Sequence, residues 1–262
     1  MSNSSATDLK SDLELALQLA NLADQISTAR FLAVDLHVET KPDLTPVSDA
    51  DKAIEKEIRE LLAVKRPDDQ IVGEEFGSGS TAGRYWVIDP IDGTKNFVRG
   101  VPVWGTLIAL MEGTEVLVGV VSAPALFRRW YAAQGFGAFT EVNGGPATQI
   151  SVSNVKNLSD ASLSFSDLVG WGERRDLYLA FMERAWRVRG IGDFWSHMLV
   201  AEGAVDIAAE PSLALWDMAA LDVIVREAGG TFSNLAGEIG PFGGNGISTN
   251  TLLHSTVMAA LN

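Results

Sequence analysis

A chain of 262 residues, 47% of them hydrophobic, can bury a full core as one large domain or as two small ones packed together. Its 34 acidic and 20 basic residues leave a net charge of −14, which disfavours non-specific binding to nucleic acid or anionic lipid, so an anionic substrate needs a local positive charge such as a bound cation. The absence of cysteine excludes disulfides, thiolate zinc sites and cysteine nucleophiles; no run of apolar residues is long enough to span a membrane, and the N-terminal MSNSSATDLKSD lacks the apolar core of a signal peptide, so a short polar tail on a cytoplasmic protein is expected.

The spacing of Leu13, Ala16, Leu17, Ala20, Ala23 and Ile26 predicts a helix over 12–32, with Ser11 and Glu14 as its capping box. A second helix opens near Ser48 and carries Ala50, Ile54, Ile58, Leu61 and Leu62 on one apolar face; RPDDQ (66–70) ends it. IVGEE (71–75), RYWVID (84–89), TLIALME (106–112), EVLVGVVSA (115–123) and RRWYAAQ (128–134) read as strands. GAFTEV (137–142) and ATQISVS (147–153) form a hairpin across Asn143-Gly144. Beyond about residue 153 strands and helices alternate. SLSF, WRVRGI, AVDIAAE and GTFS are expected strands, with helices over 173–186, 193–203, 217–228 and from Leu252 onward. This pattern divides the chain into an α+β half, 1–153, with two helices over a largely antiparallel sheet, and an α/β half, 154–262.

Acidic residues recur where apolar elements end. Glu74 follows IVG, Asp89 and Asp92 follow WVI, Asp217 follows LALW at the start of a helix, and Asp49 opens another helix. Taken singly, Asp49 and Asp217 read equally well as helix caps. Asp89 and Asp92 fit that reading less well, because no arginine lies within WVIDPIDGTKNF (86–97) to balance two charges at the end of a buried strand. Converging carboxylates without cysteine point to a hard divalent cation, Mg²⁺ above all. The histidines His37, His197 and His254 lack zinc-ligand spacing and read as surface or packing residues. Gly93-Thr94-Lys95-Asn96 can start a short helix whose free amides hold a phosphate. Metal-holding acids beside phosphate-holding amides are the layout of metal-assisted phosphate ester hydrolysis. A phospho-aspartate mechanism fits poorly, because the acids are spaced Asp-x-x-Asp, and a serine hydrolase lacks its G-x-S-x-G.

Four segments, GEE (73–75), WVIDPIDGTKNF (86–97), WDMAALDVIVREAGG (216–230) and DLTPVSDADKAIE (43–55), resemble the signatures of the inositol monophosphatase family in order and spacing. The resemblance implies a layered α-β-α-β-α sandwich, usually dimeric, acting on a small-molecule phosphate ester with two or three Mg²⁺ ions. It implies that Glu74, Asp89 and the Ile91 carbonyl hold one ion, and that Asp89, Asp92 and Asp217 hold a second. A third ion would lie near Glu74, with Asp49 and Thr94 orienting the attacking water and the Gly93 and Thr94 amides holding phosphate. The N-terminal half would thus carry the metal and phosphate site, and the C-terminal half the specificity residues. Glu210 matches the family's sugar-binding glutamate, and Arg189 can reach either substrate or Asp193. Asp193 and Phe194 stand where inositol-hydrolysing members have small neutral residues. An acid with aromatics suits a cationic, imidazole-bearing alcohol. Equally, Asp193 can cap the helix 193–203 while Phe194 and Trp195 pack in the core. FVRGVPVWGTLIAL, VVSAPALFRRWYAA and WRVRGIGDF resemble the histidinol-phosphate-hydrolysing members. An inositol-1-phosphate or broad sugar phosphatase is the alternative within the family, and a metal- or phosphate-binding module without catalysis is the alternative outside it. The loop 166–176, SDLVGWGERRD, reads either as a cover over the substrate or as an ordinary connection.

Overall fold

The computed structural model describes residues 6–42 and 44–262; Asp43 of the DLTPVSDADKAIE segment and the first five residues of the polar tail expected over MSNSSATDLKSD lie outside the described residues, and 6–12 of that stretch are helical instead. Two helices come early, α1 (Ala6–Arg30) and α2 (Asp49–Lys65), flanking the short hairpin β1 (Val38–Thr40) and β2 (Pro46–Ser48). α1 starts before the expected Ser11 cap because Leu9 already belongs to its buried face. Asp12, inside the helix and 2% exposed, pairs instead with Arg66 and Arg84 at 2.9 and 2.8 Å. α2 begins with a true capping box. Ser48 Oγ accepts from the Ala50 N–H, and Asp51 Oδ2 accepts from the Ser48 N–H at 2.8 Å.

The strands β3 (Gln70–Gly73), β4 (Gly77–Ser78), β5 (Arg84–Asp92), β6 (Gly105–Glu112), β7 (Glu115–Ala123), β8 (Arg128–Ala133), β9 (Gly137–Val142) and β10 (Thr148–Ile150) form one eight-stranded sheet. Its order is β10-β9-β8-β7-β6-β5-β3-β4, antiparallel except for β3 beside β5. Asn143 and Gly144 both take positive φ in the β9–β10 turn, which an Asn-Gly pair permits. A short helix α3 (Thr94–Arg99) leaves the end of β5.

The second sheet contains β11 (Ser162–Phe165), β12 (Arg187–Gly190), β13 (Ile207–Glu210), β14 (Thr231–Ser233) and β15 (Gly246–Thr249) in the order β12-β11-β13-β15-β14. Only β11 pairs in parallel, with β12 and β13; β15 runs antiparallel to both its neighbours. β15 is absent from the sequence reading because GIST follows the glycine-rich FGGNG, a loop signal. The helices of this region are α4 (Arg175–Met182), α5 (Asp193–Ala201), α6 (Leu215–Glu227) and α7 (His254–Leu261).

Five layers result. α1 and α2 cover one face of the large sheet, where Trp86, Ile88, Ile108 and Val120 meet Ala16, Leu19, Ile54 and Ile58. α5 and α6 cover its other face, with Val87, Leu107, Val121 and Trp130 against Phe194, Met198 and Val223. The five-stranded sheet follows, and α4 and α7 close its far side through Phe181, Tyr178, Val257 and Leu261. This is the expected α-β-α-β-α sandwich. Among the described residues no helix is long and apolar enough to cross a membrane.

Alternation along β5 aims the site. Trp86 and Ile88 point toward α1 and α2, and Tyr85 and Val87 point the other way, so Asp89 faces the central helix layer. Three residues on, regular alternation would send Asp92 to the opposite face. The pairing with β6 shifts register between Asp89 and Asp92, which lets both acids serve one side.

α6 lies against β7 at Gly119, where an added Cβ would stand 2.8 Å from the Ala220 carbonyl and 2.5 Å from Val223 Cγ1. Gly119→Val should therefore lower the unfolding free energy by about 1–3 kcal/mol in urea titration; an unchanged midpoint would show that α6 can lift from the sheet at no cost.

Candidate active site

A cavity of about 660 Å³ opens between the two sheets where β5, α3, α5, β13 and α6 meet. Carboxylate oxygens of Asp89, Asp92 and Asp217 lie there within 4.8 Å of one another. Asp89 is 2% exposed, and its Oδ1 is buried with no hydrogen-bond partner. Asp217, the third residue of α6, accepts the Ala214 N–H on Oδ2 at 2.6 Å, so it caps its helix with one oxygen and still belongs to the cluster. Asp92 Oδ2 accepts the Phe194 N–H at 2.8 Å and thereby caps α5 from a different element.

Burial, reinforced by Glu74, Asp92 and Asp217, pushes the Asp89 carboxyl well above the carboxylate range. Burial with Asp193 and Asp217 does the same to Asp92. Asp217 is raised to about 7, chiefly by burial, against its bond from Ala214. Clustered, partly unpaired carboxylates in a cleft without arginine fit a hard divalent cation, which would neutralise them without a proton.

Glu74 follows β3 at the cavity edge, and Lys41 Nζ lies 2.7 Å from its Oε1 and 2.6 Å from Glu75. Burial works against the Lys41 ammonium, but its bonds to Glu74 and Glu75 hold the pKa above its ordinary value. Thr94 Oγ1 lies 2.9 Å from the Ile91 carbonyl and 3.3 Å from Asp51 Oδ1. Asp51 is buried, and burial raises it to about 6 despite its bonds from Ser48.

Asp49, expected to work with Thr94, instead turns to the flank and pairs with Arg30 at 2.7 Å, away from the cavity lining. The residue at Thr94 is Asp51, two positions on, because the box at Ser48 draws its side chain inward. Gly93 caps α3 with φ 80°, and a Cβ there would meet the Val103 carbonyl at 3.0 Å and Asp193 Oδ2 at 3.2 Å. Only glycine suits both the conformation and the space.

Asp193 lines the cavity beside Gly93, also at positive φ (48°), with its N–H donating to Ser166 Oγ at 2.7 Å and its Oδ2 accepting from Asn96 Nδ2 at 3.0 Å. It makes no cap on α5, whose N-cap is Gly192. Burial, followed by the charge of Glu210, raises Asp193 to about 6.

Phe194 packs edge-on against Trp130 in the core and Trp195 packs beside it, so the aromatic surface on the cavity wall is Trp216. Arg189 is exposed, donates to the Val188 carbonyl, lies outside the cavity lining and is not paired with Asp193. Glu210 lines the cavity at the end of β13. In the loop 166–176, Ser166 and Asp167 border the opening, but Trp171 is buried and stacked on Tyr178 at 3.6 Å and is not available as a cover. Asp51, Asn96, Ser166 and Trp216 were not singled out from the sequence; only Asp51 carried a local signal, the Ser-x-x-Asp box.

The profile of the inositol monophosphatase family matches residues 8–262. A histidinol-phosphatase from Mycobacterium tuberculosis is 57% identical over 96% of this chain and 98% of its own, and one from Streptomyces coelicolor is 55% identical over 97% and 98%. The solved structure of an IMPase from Thermotoga maritima superposes with a TM-score of 0.85 at 32% identity, covering 96% of this chain and 97% of that one. The chain belongs to the inositol monophosphatase family, a family of Mg²⁺-dependent phosphatases.

Asp51, Asp193 and Asp217 hold protons in the folded chain at pH values where the unfolded chain has released them. Between about pH 4 and about pH 7 the native state therefore binds more protons, and stability falls as pH rises. In chelator, Tm should drop from about pH 5 to about pH 7.5, and Mg²⁺ should restore more of it at the higher pH. A Tm indifferent to Mg²⁺ at the higher pH would speak against cation binding by this cluster.

Proposed function

We propose that the protein hydrolyses L-histidinol phosphate to L-histidinol and phosphate, the step its two histidinol-phosphatase relatives are named for, as a cytoplasmic homodimer. The observation that carries the substrate choice is Asp193. Its carboxylate is free of any capping duty, is fixed by Asn96, and faces the cavity with Glu210 nearby. Two acids on that wall suit a cationic alcohol and oppose a neutral polyol less than an anionic one.

Glu74, Asp89 and the Ile91 carbonyl would hold one Mg²⁺, with Asp89, Asp92 and Asp217 holding a second and a third near Glu74. When bound, these ions supply a water nucleophile at neutral pH and screen the phosphoryl charge. The chain's own residues do the rest. Gly93 and Thr94 present backbone amides to the phosphate. Asp51 Oδ1 and Thr94 Oγ1 orient the attacking water, and Asp51, raised to about 6, is suited to take up its proton near neutrality. Water attacks phosphorus in line with the departing oxygen, the P–O bond to the alcohol breaks, the alkoxide takes a proton from solvent to leave as L-histidinol, and no enzyme side chain becomes phosphorylated. Trp216 and Asp193 hold the alcohol.

Phosphate release from L-histidinol phosphate and from inositol 1-phosphate, each with Mg²⁺ and with chelator, tests the assignment. A strong preference for the first, lost in chelator, is expected; preference for the inositol ester would return this chain to the general sugar-phosphatase reading. Asp193→Asn should raise KM for histidinol phosphate about tenfold or more and leave that for inositol 1-phosphate little changed. Asp51→Asn should cut kcat about a hundredfold or more, while Asp49→Asn stays close to wild type; the opposite ranking would restore Asp49 to the water.

A further inference from the structure

Glu210 is a buried carboxylate, 7% exposed, without a lysine or arginine partner among the described residues. Its charge helps raise Asp193, Asp92 and Asp217. A group so placed needs something to hold it in one orientation. Its hydrogen-bond partner is His197, wholly buried on α5, whose Nε2 lies 3.3 Å from Glu210 Oε1. The other ring nitrogen, Nδ1, lies 2.7 Å from Ser248 Oγ.

Strand pairing builds this line. Ser248 on β15 stands opposite Ala208 on β13, and Glu210 lies two residues beyond Ala208, so all three share a face of the sheet. Phe232, opposite Ser248 on β14, sets its ring 5.8 Å from the imidazole. An ionised carboxylate accepts only, so Nε2 carries a proton toward Glu210. The Glu210 carboxylate thus fixes the tautomer, and in the neutral ring Nδ1 accepts from the Ser248 hydroxyl, which holds the ring in place. His197 is also four residues after Asp193, one helical turn along the same side of α5.

We infer that His197 is a positioning residue that aims the Glu210 carboxylate at the alcohol part of the substrate, with Ser248 anchoring the ring through Nδ1. α5 thereby supplies one acceptor itself, Asp193, and orients the second, Glu210. The pair forms a two-point site for an alcohol carrying two separated N–H donors, at least one cationic. This rests on the reading that this wall takes the alcohol.

A double-mutant cycle between Ser248→Ala and Glu210→Gln, read as KM and kcat in the Mg²⁺-loaded enzyme, tests it on both L-histidinol phosphate and inositol 1-phosphate. Ser248→Ala removes one hydroxyl and no packing atoms beyond it; His197→Asn is the stronger companion. Ser248→Ala should raise KM about two- to tenfold, with a smaller change in kcat, and should add nothing further in the Glu210→Gln background. An effect of full size in that background, or equal falls in kcat for both esters with no change in KM, would overturn the positioning role. A wild type without preference for histidinol phosphate would remove the substrate reading alone, since the coupling between positions 248 and 210 is then read on the inositol ester.

Discussion

Three carboxylates with oxygens within 4.8 Å of one another repel, and each resists losing water; left to local preference the chain would separate them. They stay together because each hangs from an element held elsewhere. Asp89 and Asp92 end a strand in the middle of the large sheet, locked by β6 on one side and β3 on the other. Asp217 rides on α6, which lies on β7 so closely that Gly119 has no room for a side chain. The hydrophobic layers on both faces of that sheet supply the free energy that keeps like charges at close range. The site in turn stores an attraction for any cation that can replace the protons the acids are forced to keep.

This division of labour explains what the sequence could and could not reveal. Apolar strands that end in acids were legible because both features are local: WVID shows its strand period and its charge in the same few residues. Most elements followed from the same periodicity, while the layered sandwich came from the family resemblance; the start of α1, where Leu9 extends the buried face, the short strands β1, β2 and β4, and β15, hidden behind glycines, did not. Asp49 and Asp51 sit two apart on one helix turn, and composition does not tell which turns inward; the choice is made by a bond between Ser48 and Asp51 and by the pull of Arg30 on Asp49. Arg189 and Phe194 were harder still. Both lie within four residues of Asp193 in sequence, yet the local path of β12 and α5 sends one to solvent and the other into the core. His197 looked isolated because its partners, Glu210 and Ser248, come from two strands that meet only in the folded sheet.

α5 emerges as the element on which the two ends of the cavity depend. Asp92 holds its first turn, and at its far end the Glu202 carboxylate accepts from Arg128 and from the Trp130 indole, both at 2.6 Å, on β8. The helix is thus pinned at both ends to the large sheet, while its outer side meets the small one through Val200 and Ala208. Shifts of α5 would move Asp193 and His197 together, so the placement of both is inherited from the sheet that carries the acids.

The bond from Phe194 to Asp92 is made by a backbone N–H. The side chain at 193 takes no part in it, so the anchorage survives a change there among the residues that tolerate its positive φ, while Phe194 stays fixed by its packing on Trp130. A chain built this way could exchange the residue proposed to meet the alcohol without disturbing the acids proposed to hold the metal. Diversity of leaving group and constancy of chemistry are then separate variables, joined by a contact that is blind to side-chain identity.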